Sequence, residues 1–232
     1  MKVTNNDAYV IASSKVWEPT MANRLQYVAG GFFHQITEKS DLTLENLMKI
    51  NPRFIFFPHW SFIVPHEIFE KFECVIFHMT DLPYGRGGSP LQNLILRGHR
   101  DTVICAVQCV GEVDAGPIYL RRSLSLAGSA QEIFLRASEK IHEMILEIIE
   151  SEPNPEEQLG PSVVFQRRKS EESELRDLHS LEELYDFIRM LDADGYPRAF
   201  LNFENLRFEF RDAVLDGGSV VASVLITDRT KN

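Results

Sequence analysis

Two residues able to exchange a proton follow two successive apolar segments of the chain. His78 ends the apolar run that begins at Cys74, and Asp114 lies in a loop shortly after the apolar segment 102–110. Open α/β proteins place their chemistry at strand ends of this kind, and a histidine beside a carboxylate makes an acid–base pair at neutral pH. Each residue could instead have a purely structural role. His78 could hydrogen-bond a backbone carbonyl at the end of a core strand, and Asp114 could be an ordinary turn residue.

A glycine-rich segment, Gly85-Arg86-Gly87-Gly88, follows the histidine. It lacks the G-x-G-x-x-G spacing of a dinucleotide site and the Gly-Lys-Ser/Thr of a phosphate-binding loop. Glycine adopts backbone conformations closed to other residues, so such a segment can pass close to a ligand. We therefore expect the segment to line a pocket beside His78.

The order and spacing of these residues resemble the formyltransferases that use 10-formyltetrahydrofolate as formyl donor. The resemblance is carried by His78, Thr80, Leu82, Pro83, Arg86, Gly87, Asp114 and Gly116. It implies that His78 accepts the proton of the acceptor amine and that Asp114 orients the histidine and supports its positive charge.

One position departs from this family. The family asparagine that would stabilise the oxyanion falls at Ile76, which cannot donate a hydrogen bond. The nearest amides are Gln92 and Asn93, and we predict Asn93 as the replacement donor. Backbone N–H groups at the start of a helix over 90–97 are an alternative, and both amides could equally form a solvated helix face.

The resemblance also implies a folate pocket built from two loops and the glycine-rich segment. The predicted donor-binding residues are Pro58, His59, Trp60, Pro83, Arg86, Gly87, Val110, Gly111 and Val113. The predicted acceptor-binding residues are Ser14, Lys15, Trp17 and Thr80, because a lysine can hold a phosphate and a tryptophan can stack on a base or sugar. The loop containing Ser14, Lys15 and Trp17 could instead be an exposed connection.

Four strings, at 56–61, 77–83, 86–95 and 188–197, resemble the sugar-nucleotide N-formyltransferases of the pseudaminic acid type. This resemblance implies a UDP-linked 4-amino-4,6-dideoxy sugar as acceptor. The alternatives are an enzyme like methionyl-tRNA formyltransferase, a formylation domain that acts on a carrier-bound peptide, and an inactive folate-binding domain, the last suggested by Ile76.

Composition narrows the expected partners. The 232 residues carry a net charge of −10, from which we expect no nucleic-acid partner, because phosphate binding needs a basic surface. The only basic cluster, Arg167-Arg168-Lys169, either binds a diphosphate or offsets neighbouring glutamates, and we favour the second interpretation. Three cysteines in apolar segments show no metal-site spacing. No segment has the length of a membrane span, so we expect a cytoplasmic protein without a metal, and a homodimer is compatible with the sequence.

Strand and helix patterns alternate as far as residue 150, which predicts an α/β fold with a Rossmann-like, mostly parallel sheet covered by helices on both faces. Two capping boxes, at Ser129 and Ser180, predict helix starts. A polar, proline-rich segment over 151–162 is typical of a linker. We therefore predict a catalytic domain over 1–150 and a small α+β appendage over 163–232.

Overall fold

The structure is a computed structural model that describes residues 7–15 and 20–231. The chain forms two compact units, which are described separately below. Unit one contains the described residues of 1–87, 103–124 and 136–164. Unit two contains the described residues of 88–102, 125–135 and 165–231, so it includes two segments that the sequence analysis places in the catalytic domain.

A six-stranded sheet organises unit one. Its spatial order is β2 (Phe32–Ile36), β1 (Ala8–Ala12), β3 (Phe54–Phe57), β4 (Cys74–His78), β6 (Asp101–Gln108) and β7 (Ile118–Ser125). The pairings β2–β1, β1–β3 and β3–β4 are parallel, whereas β6 runs antiparallel to β4. The predicted mixed α/β fold with a mostly parallel central sheet is therefore confirmed. The parallel strands β1 and β3 are buried along nearly their whole length, as expected of strands covered on both faces.

Strand β5 (Tyr84–Gly87) was not expected from the sequence. It pairs with β8 (Val163–Phe165) in a separate two-stranded sheet. Within unit one, the Val163 amide donates to the Pro83 carbonyl at 3.2 Å. The segment that we interpreted as a glycine-rich loop is therefore held in extended form by a chain segment about 80 residues later in the sequence.

The described residues form six helices: α1 (Met21–Ala29), α2 (Leu44–Ile50), α3 (His66–Phe69), α4 (Pro90–Leu96), α5 (Ala130–Ser151) and α6 (Leu181–Arg189). Short 3₁₀ turns occur at Lys39–Asp41, Ser170–Ser173 and Arg229–Lys231. No helix in the described ranges is both long enough and apolar enough to traverse a bilayer.

Side-chain caps fix the starts of three helices. Thr43 accepts a hydrogen bond from the Asn46 amide, and Ser180 accepts one from the Glu183 amide. At the start of α5, Ser129 and Glu132 bond each other's backbone amides, which is the predicted capping box. Helix α3 has Pro65 as its N-cap and ends at Phe69.

Unit two is built around an antiparallel sheet ordered β11 (Ser219–Asp228), β10 (Leu206–Asp216) and β9 (Ala199–Phe203). Helix α6 packs on this sheet, and its buried Arg189 donates to the carbonyls of Leu126 and Gly128. These donations satisfy a charged group that burial would otherwise destabilise. The small C-terminal α+β region is confirmed, and its strands β10 and β11 are eleven and ten residues long.

Candidate active site

The predicted acid–base pair comes together in unit one. His78 is the last residue of β4, and Asp114 lies in the loop that joins β6 to β7. The Nδ1 atom of His78 lies 3.4 Å from Oδ2 of Asp114, and both side chains are more than nine-tenths buried. Strand β6 runs antiparallel to β4 and ends opposite Val75, so the loop that follows it must fold back for Asp114 to contact His78. The sequence named these two residues as a pair.

The partners of His78 determine where its imidazole can gain a proton. Its Nε2 atom lies 2.8 Å from the Gly85 carbonyl oxygen, which can only accept, so Nε2 carries a hydrogen. In the neutral ring, Nδ1 then presents a lone pair to the Asp114 carboxylate. Protonation of Nδ1 converts that contact into an ion pair with both ring nitrogens satisfied. Both ring nitrogens therefore have an acceptor within reach when the imidazole carries two hydrogens.

Backbone geometry fixes the Asp114 carboxylate. Asp114 has a φ of 53°, a left-handed conformation that aspartate tolerates better than most residues. Its Oδ2 atom accepts a hydrogen bond from the Gly87 amide at 2.9 Å. Two residues later, a Cβ on Gly116 would lie 2.0 Å from the Gln108 carbonyl oxygen, so only glycine fits there. The Asp-x-Gly spacing is explained by these two contacts.

Gln158 is the site residue that sequence reasoning missed. Its Nε2 atom donates to the carbonyls of Asp114 and Gly116, each at 2.8 Å. Its Oε1 atom accepts from Nε and Nη2 of Arg86 at 3.1 and 2.9 Å. One side chain thus joins the Asp114 loop to strand β5. Gln158 lies in the polar segment that we interpreted as a linker, where no local pattern marks it.

Thr80, Pro83 and Arg86 lie close to His78 in the sequence, and each makes hydrogen bonds near the His78–Asp114 pair. Thr80 is fully buried, and its hydroxyl donates to the same Gly85 carbonyl that His78 contacts. Arg86 also donates to Glu112 at 3.0 Å. Pro83 accepts the hydrogen bond that holds β8 beside β5. Thr80 is therefore placed to orient His78, and Arg86 is held by Gln158 and Glu112.

The loop after β3 carries Pro58, His59 and Trp60 to the same edge of the sheet. Pro58 is buried, whereas the other two residues are half-buried. Trp60 packs edge-on against Phe57, and its indole Nε1 is a buried donor with no hydrogen-bond acceptor among the residues that the structure describes. A buried donor without a partner is costly, and a flat heterocycle with acceptor atoms at its edge would satisfy it. This side chain fits the predicted folate pocket.

His59 connects this loop to its neighbours. Its ring Nε2 lies 2.9 Å from the Ser138 hydroxyl on α5, and the Ser14 hydroxyl donates to its carbonyl at 3.2 Å. Burial, assisted by the positive charge of Lys15, lowers the pKa of His59 to about 4. His59 is therefore neutral near pH 7. Ser14 and Lys15 lie at the end of β1 as predicted, and Trp17 falls outside the described residues.

The third predicted wall of the pocket is the loop after β6. Val110 is half-buried beside Gly116, whereas Gly111 and Val113 are exposed. Gly111 has open space where a side chain would stand. Within the described part of the chain, no group of three or more His, Cys, Asp or Glu side chains could hold a metal ion.

Ile76 and Asn93, the two positions considered for stabilising the oxyanion, both make other contacts in the structure. Ile76 is half-buried, lies between Phe57 and Val107 in the sheet, and packs against an apolar cluster. In unit two, the Asn93 amide nitrogen donates to the carbonyls of Gly88, Ser89 and Gln166 at 3.0–3.1 Å. The two hydrogens of that amide already have acceptors, so the catalytic role of Asn93 stays a prediction.

Comparison with known proteins finds a solved structure with high identity over nearly the full length of both chains. The structure is similar to that of a methionyl-tRNA formyltransferase from Clostridium thermocellum, with 48% identity, a TM-score of 0.93, and coverage of 96% of this chain and 99% of that one. The family model for the C-terminal domain of methionyl-tRNA formyltransferase matches residues 170–227. The methionyl-tRNA formyltransferase of Lactobacillus gasseri is 28% identical over 81% of this chain and 63% of its own length.

Curated relatives from other bacteria are longer than this chain. The methionyl-tRNA formyltransferase of Rickettsia prowazekii is 36% identical over 103 residues, which make up 41% of this chain and 34% of that protein. The chain spans between 34% and 63% of the length of such relatives.

These comparisons correct two predictions. The nucleotide-sugar acceptor of the pseudaminic acid type is wrong, because the well-matched relatives are methionyl-tRNA formyltransferases. A likely sugar N-formyltransferase from Mycobacterium tuberculosis shares only 17% identity and indicates a common fold. The predicted absence of a nucleic-acid partner is wrong for the same reason. It rested on net charge, which is a sum over the whole chain and does not describe the surface beside one site.

His78 and Asp114 lie together in unit one, and the Gly87 amide donates to the same carboxylate. The 48% identity extends over 99% of a solved formyltransferase. The chain belongs to the formyltransferase family.

Proposed function

We propose that this protein transfers a formyl group from 10-formyltetrahydrofolate to the α-amino group of methionyl-tRNA. The observation that carries the proposal is the buried His78–Asp114 pair, with its 3.4 Å separation, in a chain 48% identical to a methionyl-tRNA formyltransferase. The match of residues 170–227 to the C-terminal domain of that family supports the same acceptor.

The chemistry needs a base more than a nucleophilic side chain. The acceptor nitrogen attacks the formyl carbon and forms a tetrahedral intermediate. The attacking nitrogen must then lose a proton, the bond between the formyl carbon and N10 of tetrahydrofolate breaks, and the departing N10 atom takes up a proton. His78 accepts the proton from the amine, and Asp114 stabilises the resulting imidazolium ion through the contact at Nδ1. Hydrogen bonds from Gly87 and Gln158 hold the Asp114 segment during this step.

The proposed donor pocket lies beside this pair. Trp60 offers a buried N–H group without an acceptor among the described residues, and Gly111 leaves open space on the loop after β6. We assign these two positions to the pterin ring of the donor. An aromatic wall with a few backbone and side-chain donors is the usual construction of such a site.

The acceptor end of a tRNA needs only a local contact. The positive charge of one lysine can attract a phosphate locally, even though the whole chain has a net charge of −10. Lys15, at the end of β1, lies close enough to His59 to affect its pKa. We assign the terminal phosphates of the acceptor to this position.

A direct assay tests the proposal. Purified protein is incubated with 10-formyltetrahydrofolate and either methionyl-tRNA or free methionine, and the formylated product is measured by mass spectrometry. We expect formyl-methionyl-tRNA from the wild type and a loss of about 100-fold or more in the His78→Ala variant. Absence of the product with charged tRNA, when the protein is folded and binds a folate analogue, would refute the acceptor. A wild type whose melting temperature no folate analogue raises would refute the donor.

A further inference from the structure

Both chain neighbours of Trp60 are held by other parts of unit one. The Ser14 hydroxyl, in the loop after β1, donates to the His59 carbonyl at 3.2 Å and lies 3.5 Å from the Ser61 hydroxyl. The imidazole Nε2 of His59 lies 2.9 Å from the Ser138 hydroxyl on α5. The loop that carries Trp60 is therefore held by the loop after β1 and, through one side-chain hydrogen bond, by α5.

His59 has an uncommon backbone conformation. Its φ is 52°, in the left-handed region that few residues other than glycine adopt, although histidine is among those that tolerate it. Such a conformation persists where the surrounding contacts determine it, and it is typical of ligand sites. The turn at His59 also sets the direction in which the next residue, Trp60, leaves the loop. A contact that fixes His59 therefore orients the indole.

Ser138 departs from the pattern of the helix face on which it lies. It is 1% exposed, and the buried residues around it on α5 within unit one are apolar, among them Ala137, Ile141 and Ile145. Alanine is a better helix former than serine, and a buried hydroxyl is costly unless it is hydrogen-bonded. Helix stability alone would thus favour alanine at this position, and the hydroxyl contributes the contact with His59.

We propose that Ser138 is a positioning residue for the formyl donor: its bond to His59 holds the loop so that the Trp60 indole faces the pterin ring. The inference rests on the proposed function, which assigns Trp60 to that ring. Trp60 also packs edge-on against Phe57 and Phe62, with ring centroids 6.1 and 5.3 Å apart. Apolar packing has no preferred direction, so the hydrogen bonds at His59 set the orientation of the ring. A group that is ordered before the ligand arrives loses less entropy when it binds.

Two variants remove this bond from opposite sides. Ser138→Ala deletes the hydroxyl and leaves a strong helix former. His59→Asn keeps a residue that tolerates a positive φ, but its amide ends short of the position of Nε2. Each variant should raise the dissociation constant of 5-formyltetrahydrofolate, measured by calorimetry, by about tenfold, near the upper end of what one hydrogen bond contributes. The double variant should bind no more weakly than either single variant, because all three lose the same contact.

The kinetics of formyl transfer separate positioning from a general loss of structure. A contact that aligns the donor equally in the ground state and the transition state raises KM and leaves kcat unchanged. We expect KM for 10-formyltetrahydrofolate to rise about tenfold in each single variant, with kcat within about twofold of the wild type. A variant that is merely partly unfolded would instead show a lower kcat at the wild-type KM. Ser151→Ala is the matched control on α5, since its exposed hydroxyl donates to the Glu147 carbonyl, and it should match the wild type in both constants.

Fluorescence follows the indole itself without catalysis. The chain contains two tryptophans, so the measurement is made in a Trp17→Phe background, where Trp60 alone emits. Ser138→Ala should shift the emission of Trp60 to longer wavelength, because an indole released from its orientation meets more water. The Ser151→Ala control should leave the emission where it is.

The outcomes distinguish this inference from the proposed function. If the wild type binds 5-formyltetrahydrofolate and Ser138→Ala binds it equally well, the positioning role is overturned and the proposed donor stands. Additive losses in the double variant, or an unchanged emission of Trp60, would also overturn the role. A wild type that does not bind this folate would refute the donor and the role together. Should Ser138→Ala fail to fold, His59→Asn provides the same test.

Discussion

Replacing Asp114 with asparagine separates the acid–base role of this residue from its structural role. Asparagine has nearly the same shape and tolerates the φ of 53° found at this position. Its side-chain oxygen can still accept the hydrogen bond from the Gly87 amide, which spans 2.9 Å in the native structure. We therefore expect the Asp114→Asn variant to fold normally.

The chemistry of the variant should differ because the side chain loses its negative charge. The Oδ2 atom that accepts from Gly87 is also the atom that lies 3.4 Å from Nδ1 of His78, so the asparagine oxygen can keep both contacts. A neutral amide oxygen stabilises the imidazolium ion formed during transfer less than a carboxylate does. Losing an acid–base function of this kind costs about 100-fold or more in turnover, which corresponds to about 2.7 kcal/mol in the activation free energy.

The assay is the steady-state rate of formyl transfer, with the melting temperature as a check of folding. Asp81→Asn is the matched control, since the Asp81 carboxylate is exposed and lies 3.6 Å from Arg121. We expect the control to retain nearly the wild-type rate. An Asp114→Asn variant with a wild-type rate would remove the carboxylate from the mechanism, and one that melts far below the wild type would show that its role is structural.

Three further changes address other contacts. Gln158→Leu removes two donated and two accepted hydrogen bonds, so the free energy of unfolding in urea should fall by about 2–4 kcal/mol and turnover should fall with it; unchanged turnover would deny Gln158 a positioning role. His59 has a folded pKa of about 4 against an ordinary 6.5, so the unfolded chain binds the proton first and stability should fall as pH drops from 6.5 toward 4. His59→Gln should weaken that dependence in thermal melts, and an identical pH dependence would contradict the shift. Asn93→Ala should lower the melting temperature by removing three donations, whereas lost turnover at unchanged stability would instead support oxyanion binding.

The sequence predicted features that depend on short-range pattern. Alternating apolar strands and helices give the sheet, and His78 is noticeable because it ends an apolar strand. The capping box at Ser129 was also predictable from the sequence, because its two partners, Ser129 and Glu132, are three residues apart. In each case the determining residues are close together in the chain or repeat with a fixed period.

Long-range pairing was not predictable. Tyr84–Gly87 contains two glycines, which disfavour a strand, yet it becomes β5 because Val163–Phe165 lies beside it. Gln158 stands in a polar, proline-rich segment, and its role arises from contact with Asp114 and Arg86. The acceptor was mistaken because short strings resembling the sugar-nucleotide enzymes were taken to identify the amine, whereas 48% identity over nearly the whole chain relates the protein to a methionyl-tRNA formyltransferase.

The fit of Gly116 against the Gln108 carbonyl sets limits on how this loop can be redesigned. Any side chain there would displace β6 or its own loop, and Asp114 is only two residues away. By contrast, Gly111, Glu112 and Val113 are exposed at the tip. A library that varies length and sequence at 111–113 while keeping 114–116 fixed should therefore yield folded proteins with altered ligand preference, because the anchor of the loop and its variable part are separate.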